Sequence, residues 1–261
     1  MPEAETIASI GAALKPVAEK WTEKLGVDVD FAVKTPWRLK HDEERIMVQE
    51  LVRGYFDVEG KKGEVLFTGI ARVDAAKLPW MEAARLLMNR GMGLLFAKCK
   101  VESVTCKVEG SSAVESRLSA GDRDFVARNI NKCILGAGDA RLIARRAYKW
   151  RAQERAEAVR DDIYTAAVDW KFRPREESVC DWETARMVWR GAYDEVREAG
   201  AGELGRSLRE AARWVVRRRS VGMPQSFGQN CTVRVLKCVA RCLESRSPIP
   251  PSLRRDWAIF N

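Results

Sequence analysis

The sequence predicts an α+β fold: an N-terminal α-β-β-β-α unit with an antiparallel sheet, followed by a helical and basic C-terminal region. In several short stretches of the first 110 residues, apolar residues alternate with polar ones, which is typical of half-buried strands. In the rest of the chain, apolar residues recur at intervals of three and four, which is typical of amphipathic helices. The polar stretch 111–122 separates the two patterns, so we place the domain boundary there, with domains 1–112 and 113–261.

The first domain begins with a helix predicted over residues 5–25, followed by a short strand in VDVDFAVK (27–34). Two longer alternating runs, 47–58 and 64–74, predict a β-hairpin, because the glycines of EGKKG (59–63) between them allow a tight turn. The apolar stripe of the predicted helix comprises Ile7, Ile10, Leu14, Val17, Trp21 and Leu25.

A second helix is predicted over residues 79–95, since Pro79 suits a first helical turn and an apolar stripe follows it. Residues 98–110 alternate again, with a change of parity at Ser103, and predict a bulge or two short strands. The helix should pack across the sheet.

The order helix, three strands, helix over residues 5–95 resembles that of the double-stranded-RNA-binding domain and of the core of phage single-strand annealing proteins. Ala76-Lys77 and Ala83-Ala84 are the local sequence features that go with it. Both families bind nucleic acid, so the resemblance implies a nucleic-acid-binding fold for about a third of the chain, and it assigns no role to any residue.

The second domain is predicted to be helical. The tail after the proline-rich SPIPPS (247–252) should dock through Trp257 and Phe260. Asp139, which follows Gly136 and Gly138, is the predicted N-cap of the helix over residues 139–168. The predicted helices lie near residues 121–135, 139–168, 181–199, 203–219 and 228–245.

The charge of the chain favours polyanionic partners. It contains 46 Lys and Arg against 37 Asp and Glu, for a formal charge of +9 and a pI near 9.3. Residues 201–261 alone carry twelve Lys and Arg against four Asp and Glu. Most of the excess therefore belongs to the last quarter of the chain.

The compartment is expected to be intracellular and the protein soluble, because no apolar run approaches the ~20 residues that cross a bilayer. The seven cysteines are an odd number without a C-x-x-C pair, so reduced thiols are expected. The single histidine, His41, lies in a charged stretch and is interpreted as a solvated loop residue.

Three predicted helices carry an arginine-rich face opposite an apolar stripe, and Tyr148 on one of them is a candidate for stacking on a base. These faces predict a surface that grips the phosphate backbone of RNA or DNA, single- or double-stranded, with no catalysis and no cofactor or metal. Homo-oligomers are compatible with the sequence. The predicted nucleic-acid-binding residues are Arg141, Arg145, Tyr148, Lys149, Arg155, Arg206, Arg209, Arg213, Arg217, Arg218, Arg219, Arg234, Lys237 and Arg241.

Other interpretations of the same residues stay open. The basic helices also suit a structural or adaptor protein that binds an acidic partner or neighbouring subunits, or they are solvated faces partly neutralised by acidic neighbours. Asp57, Glu59 and Lys61 resemble the carboxylate and lysine pattern of a metal-dependent nuclease. The cysteines at 231, 238 and 242 share a helix face, but their spacing matches no zinc site and favours buried thiols.

Overall fold

A computed structural model describes residues 2–25, 43–59, 69–105, 118–217, 225–245 and 249–260. These residues form helices and short connections, without a strand among them, so the described part of the chain is all-α and the predicted α+β class is wrong. The chain divides into two compact units, Met1–Val73 and Asp74–Asn261. This division precedes the predicted boundary at 112/113, because the helix that begins at Trp80 packs within the second unit.

Nine α-helices lie within the described ranges, together with one 3-10 turn at Ala75–Lys77. The predicted helices at 5–25, 79–95 and 228–245 are helical, whereas the predicted helices at 181–199 and 203–219 form one continuous helix. The helices are α1 (Pro2–Leu25), α2 (Ile46–Glu59), α3 (Trp80–Thr105), α4 (Ala120–Ala144), α5 (Ala152–Val159), α6 (Asp162–Phe172), α7 (Trp182–Arg217), α8 (Gln225–Ser245) and α9 (Pro251–Phe260).

The first strand of the predicted hairpin is helix α2. Val48, Gln49 and Val52 are buried, whereas Met47 and Leu51 are each 49% exposed, which is a helical distribution. In residues 47–58, apolar residues recur at spacings of three and four as well as two, so the sequence is compatible with a helix or a strand. In the folded protein this stretch is a helix. The predicted strand at 27–34, and residues 64–68 of the second hairpin strand, lie outside the described residues.

Residues 69–74 of that second predicted strand have no regular secondary structure. Their backbone is paired with the buried side chain of Gln49, whose Nε2 donates to the carbonyls of Glu43 and Ala71, both at 2.8 Å. The amide of Val73 donates to Gln49 Oε1 at 2.8 Å, and Arg53 donates to the Val73 carbonyl. A glutamine therefore satisfies the backbone groups that the predicted hairpin would have paired.

The predicted strand over 98–110 is also wrong where the structure describes it, because residues 98–105 continue α3. Lys98 pairs with Glu102 at 3.3 Å, an i,i+4 ion pair on one helix face. The sheet on which the N-terminal resemblance rests is thus not present in the described residues, and we carry that resemblance no further.

Helices α3 and α4 pack antiparallel in the second unit. Near the end of α3, Lys100 pairs with Asp122 at the start of α4, at 2.7 Å. Gly136, Gly138 and Asp139 all lie inside α4, so the prediction that Asp139 is an N-cap is wrong. A side chain at Gly136 would collide with α3, and one at Gly138 would collide with α6. The two glycines therefore allow these helices to approach α4 closely.

Helix α7 packs against α3 and α4 and runs antiparallel to α3. The indole nitrogen of Trp182 donates to the Leu94 carbonyl at 2.9 Å. That of Trp189 donates to the Leu87 carbonyl, also at 2.9 Å. Gly200 contacts the first residue of α3, and beyond this glycine α7 continues for about 25 Å.

Helix α8 covers α3 and α7, and α9 packs against α8. As predicted, the tail docks through Trp257, which donates to Asn89 Oδ1 at 3.1 Å and meets the ring of Phe96 edge-on at 5.7 Å. The side chain of Phe260 lies outside the described part. No helix within that part is long and apolar enough to cross a membrane.

Candidate nucleic-acid interface

The predicted helix over 139–168 ends at Ala144 because the chain forms a Schellman motif there. The amide of Arg146 donates to the Ile143 carbonyl at 3.0 Å, and that of Ala147 donates to the Leu142 carbonyl at 2.8 Å. Arg146 has a φ of 58°, in the position that glycine usually occupies. Residues that were predicted on different helix faces therefore share one loop.

We name residues 145–151, with the sequence RRAYKWR, the basic loop; it contains four Lys and Arg and no Asp or Glu. All four cationic residues are exposed: Arg145, Arg146, Lys149 and Arg151. Arg146 donates to the carbonyl of Leu78 at 2.7 Å, which fixes the loop to the segment before α3. Among the described residues, no carboxylate pairs with Lys149 or Arg151.

Glu195 of α7 binds two of the predicted cations. Arg145 donates to Glu195 Oε2 from Nε at 3.0 Å and from Nη2 at 2.7 Å. Arg141 Nε lies 3.1 Å from Oε1 of the same carboxylate, and the Arg141 side chain is only 23% exposed. One negative charge thus serves two guanidinium groups, and Arg145, at 57% exposure, still faces solvent.

Tyr148 and Arg155 are buried, at 2% and 4% exposure, so their prediction as ligand contacts is corrected. Arg155 Nη1 donates to Tyr148 Oη at 3.2 Å, and its guanidinium carbon lies 5.1 Å from the centre of the tyrosine ring. The prediction assumed one helix over 139–168, with Arg155 on the same face as Arg145. The helix that carries Arg155 begins only at Ala152, and in it Arg155 faces the core.

The buried Arg155 binds the backbone of the basic loop from the protein interior. Its Nη1 donates to the carbonyls of Lys149 and Trp150, both at 2.9 Å, and its Nε lies 2.9 Å from Asp139 Oδ1. Tyr164 Oη donates to the same Asp139 oxygen at 2.6 Å. This Arg155 cluster, formed by Asp139, Tyr148, Arg155 and Tyr164, joins the loop to α4 and α6.

Burial determines the protonation states in this cluster. It raises the pKa of the Tyr164 phenol far above its usual value, and the Asp139 charge adds to the effect, so Tyr164 stays a donor. Burial opposes the charge of Arg155, but the Asp139 carboxylate outweighs it and holds the pKa of the guanidinium above its usual value. The cluster contains a permanent ion pair.

The arginines predicted on the helix near 203–219 lie on the C-terminal half of α7. Arg206, Arg209, Arg213 and Arg217 are in helical backbone, at spacings of three and four residues. Arg218 and Arg219 lie outside the described residues, as do the side chains of residues 201–234. This half of α7 begins beside the contact of Glu195 with the basic loop, since Glu195 precedes Gly200 by about one turn.

Helix α8 carries Lys237 and Arg241, both exposed, on the side opposite its buried Val235 and Val239. Arg234 precedes them in helical backbone. The described contacts hold α8 on α3 and α7, and they do not bring these residues to the basic loop.

Sequence reasoning missed Arg146, Arg151 and Arg160. Arg160 is exposed and ends α5 with a φ of 55°. The available signal was Asp161, whose side chain accepts from the Tyr164 amide at 2.9 Å and so caps α6. An aspartate within a run predicted as one helix marked a second helix start and a break before it.

A cleft of about 420 Å³ lies beside the end of α6. It combines Asp169 and Glu177 with Arg175, and its Trp170 indole nitrogen already donates to the carbonyls of residues 175 and 177. Its mixed charges do not favour an anion.

The metal-related candidates receive no support from the described residues. Cys242 is buried and Cys238 half-buried, and burial raises the pKa of the Cys242 thiol. Glu59 ends helix α2, where a hairpin turn was predicted. His41 and Lys61 lie outside the described ranges, and within those ranges no three His, Cys, Asp or Glu residues are grouped as metal ligands would be.

The distribution of cations is therefore the guide to function. Comparison of the chain with protein-family models, with curated proteins and with solved structures finds no match.

Proposed function

We propose that the protein binds nucleic acid through the phosphate backbone, without catalysis and with little sequence readout, and that the basic loop is the centre of the interface. The observation that carries the proposal is the presence of four exposed cations, and no acid, within seven consecutive residues. Each phosphate that such a cation neutralises releases counterions, which favours binding of a polyanion.

The anchoring of the loop supports this proposal. The buried Arg155 binds two loop carbonyls, and Arg146 binds the carbonyl of Leu78. A loop that is already ordered loses less conformational entropy when it binds a ligand. Arginine also pairs with phosphate oxygens through two parallel hydrogen bonds, and three of the four loop cations are arginines.

The backbone conformation of two arginines is a second support. Among the described residues, Arg146 and Arg160 are the non-glycine residues with positive φ. Such a conformation costs roughly 1 kcal/mol or more compared with glycine. At Arg146, the hydrogen bond to the Leu78 carbonyl offsets this conformational cost. At Arg160, which ends α5, we infer that the compensating gain is an exposed positive charge near the basic loop.

The interface would extend along the C-terminal half of α7. Its arginine positions begin at the end of the unit where Glu195 meets the basic loop. Exposed acidic residues on α5, Glu154 and Glu157, limit the surface on the other side. The proposed surface would thus be a strip rather than a uniform basic patch.

The test is fluorescence anisotropy with labelled 20-nucleotide single-stranded DNA, duplex DNA and RNA at several salt concentrations. Affinity should fall steeply with salt. The variant Lys149→Gln/Arg151→Gln should weaken binding to every probe and reduce the slope of log affinity against log salt by roughly 1 to 2.

The matched control is Lys171→Gln/Arg173→Gln, which removes the same charge from exposed residues at the end of α6. The chain that follows these residues returns to the middle of α4, where the Val179 amide donates to Asn131 Oδ1 at 3.0 Å, about 20 Å along α4 from the basic loop. If both variants weaken binding equally, the loop is not the interface. If no probe binds in a salt-dependent manner, the proposal fails and an adaptor for an acidic protein becomes the better explanation.

A further inference from the structure

Trp150 is a half-buried aromatic residue between two exposed cations of the basic loop, Lys149 and Arg151. Other tryptophans of the second unit lie in its core and are at most 8% exposed: Trp80, Trp170 and Trp189. A partly exposed aromatic residue within a basic segment is the combination that binds a nucleotide, because the ring stacks on the base while the cations contact the phosphates.

The indole of Trp150 is held in a defined orientation. Its ring meets the ring of the buried Tyr148 edge-on, with centroids 5.4 Å apart and an angle of 84° between the planes. Such a contact covers at most one face of the indole. Arg155 Nη1 donates to the Trp150 carbonyl at 2.9 Å, so the backbone at this position is fixed as well. A ring that is already oriented loses less conformational entropy when a base stacks on it.

Two other half-buried tryptophans, Trp182 and Trp257, have a structural role. The indole nitrogen of Trp182 donates to the Leu94 carbonyl at 2.9 Å, and that of Trp257 donates to the Asn89 side chain at 3.1 Å. These contacts fasten α7 and α9 to α3. In the basic loop, the anchoring contacts come from the two arginines that bind main-chain carbonyls, at positions 146 and 155. A tryptophan in this loop therefore suits a role other than anchoring.

Phe172, at the end of α6, provides an internal comparison. It is 57% exposed and lies between Lys171 and Arg173, the same order of lysine, aromatic residue and arginine as in the basic loop. The surrounding charge differs, because residues 169–177 contain three Lys and Arg and three Asp and Glu, whereas the basic loop has four cations and no acid. The charge surplus therefore favours the basic loop over the end of α6 as the place where a strand binds.

Stacking on a side chain requires a base whose face is accessible. In a duplex the bases stack on one another and present their edges in the grooves, whereas the bases of a single strand can be unstacked and splayed out. We infer that Trp150 stacks on a base of single-stranded nucleic acid while Lys149 and Arg151 contact nearby phosphates, a contact that duplex does not gain. This inference rests on the proposed function and goes further, since it names the form of the ligand and the residue that recognises it.

The test is the anisotropy of three labelled probes of equal length with the full chain: oligothymidine, a strand of the same length without bases, and duplex DNA. The abasic strand carries the same phosphate charges, so its difference from oligothymidine measures the contribution of the bases. The wild-type protein should bind oligothymidine about 10-fold or more tightly than the abasic strand. Trp150→Leu should lose most of this difference without a change in salt slope or duplex affinity, because it removes no charge, and Trp150→Phe should keep most of it.

Phe172→Leu is the matched control, because it removes an exposed aromatic ring between a lysine and an arginine, and it should leave all three affinities unchanged. If no probe binds in a salt-dependent manner, the proposed function fails and the inference fails with it. If the probes bind in that manner but the wild-type protein does not prefer oligothymidine to the abasic strand, phosphate binding stands and stacking is overturned.

Stacking is also overturned if Trp150→Leu keeps the preference, if it weakens duplex binding equally, or if Phe172→Leu loses the preference to the same extent. Urea unfolding checks that each variant is folded. The comparison of oligothymidine with the abasic strand uses the wild-type protein, so it decides the question even where Trp150→Leu is destabilised.

Discussion

Replacing Arg155 with methionine tests whether a buried ion pair supports the basic loop. Methionine keeps most of the side-chain volume and removes the charge and the hydrogen bonds. Arg155 is 4% exposed, and the side chain of Asp139 is 15% exposed. The variant therefore leaves a carboxylate without its cation and two loop carbonyls without a donor.

The expected loss is about 3–5 kcal/mol, the usual cost of removing one partner of a buried pair. Tyr164 still donates to Asp139, which keeps the loss within this range. For a unit of this size, 1 kcal/mol corresponds to a change of about 2–4 °C in Tm, so Tm should fall by about 6–20 °C. At temperatures where the variant is folded, nucleic-acid affinity should also fall, although Arg155 does not reach the surface.

Urea unfolding followed by circular dichroism measures the loss. Arg128→Met is the matched control, since Arg128 pairs with Asp124 on the surface of α4, with side chains 42% and 46% exposed, and should lose under about 1 kcal/mol. Arg155→Met/Asp139→Asn should be less destabilised than the two single changes combined, by more than about 1 kcal/mol. A loss for Arg155→Met no larger than for Arg128→Met would refute the reasoning.

Three further outcomes are expected. Arg160→Gly should raise the unfolding free energy by about 0.5–1 kcal/mol, because φ is 55°, and should weaken nucleic-acid binding; thermal unfolding and anisotropy on the same sample measure both effects. Gly138→Ala should cost roughly 1–3 kcal/mol in urea unfolding, because the new Cβ would overlap the ring of Tyr164, whereas Gly121→Ala, with open space around it, should be neutral or stabilising. Burial raises the pKa values of Tyr164 and Cys133 in the folded state, so stability should be level at neutral pH and fall as pH rises above about 9 to 10, where these groups ionise first in the unfolded chain. Urea midpoints from pH 7 to 11 that do not decline would contradict that assignment.

Part of the fold was predictable because some helices depend on local pattern alone. The stripes of α1 and α8, and the docking of Trp257, follow from spacing and from the proline-rich break before α9. The strand predictions at 47–58 and 98–105 were wrong because short stretches satisfy both periods. Gln49 illustrates the reason: a buried glutamine pairs with the backbone of residues 69–73, and no local pattern announces such a contact.

The sequence by itself determined the number of charges, their concentration in the C-terminal region and the apolar stripe of α1, because these properties belong to residues and to their neighbours along the chain. Only the tertiary structure decided which cations face solvent. Arg155 and Tyr148 lie in the core, because Asp139 of α4 and Tyr164 of α6 compensate the burial of a charge on α5. The helix ends near Ala144 in a Schellman motif, and the loop that follows it, which Arg155 binds, contains four exposed cations.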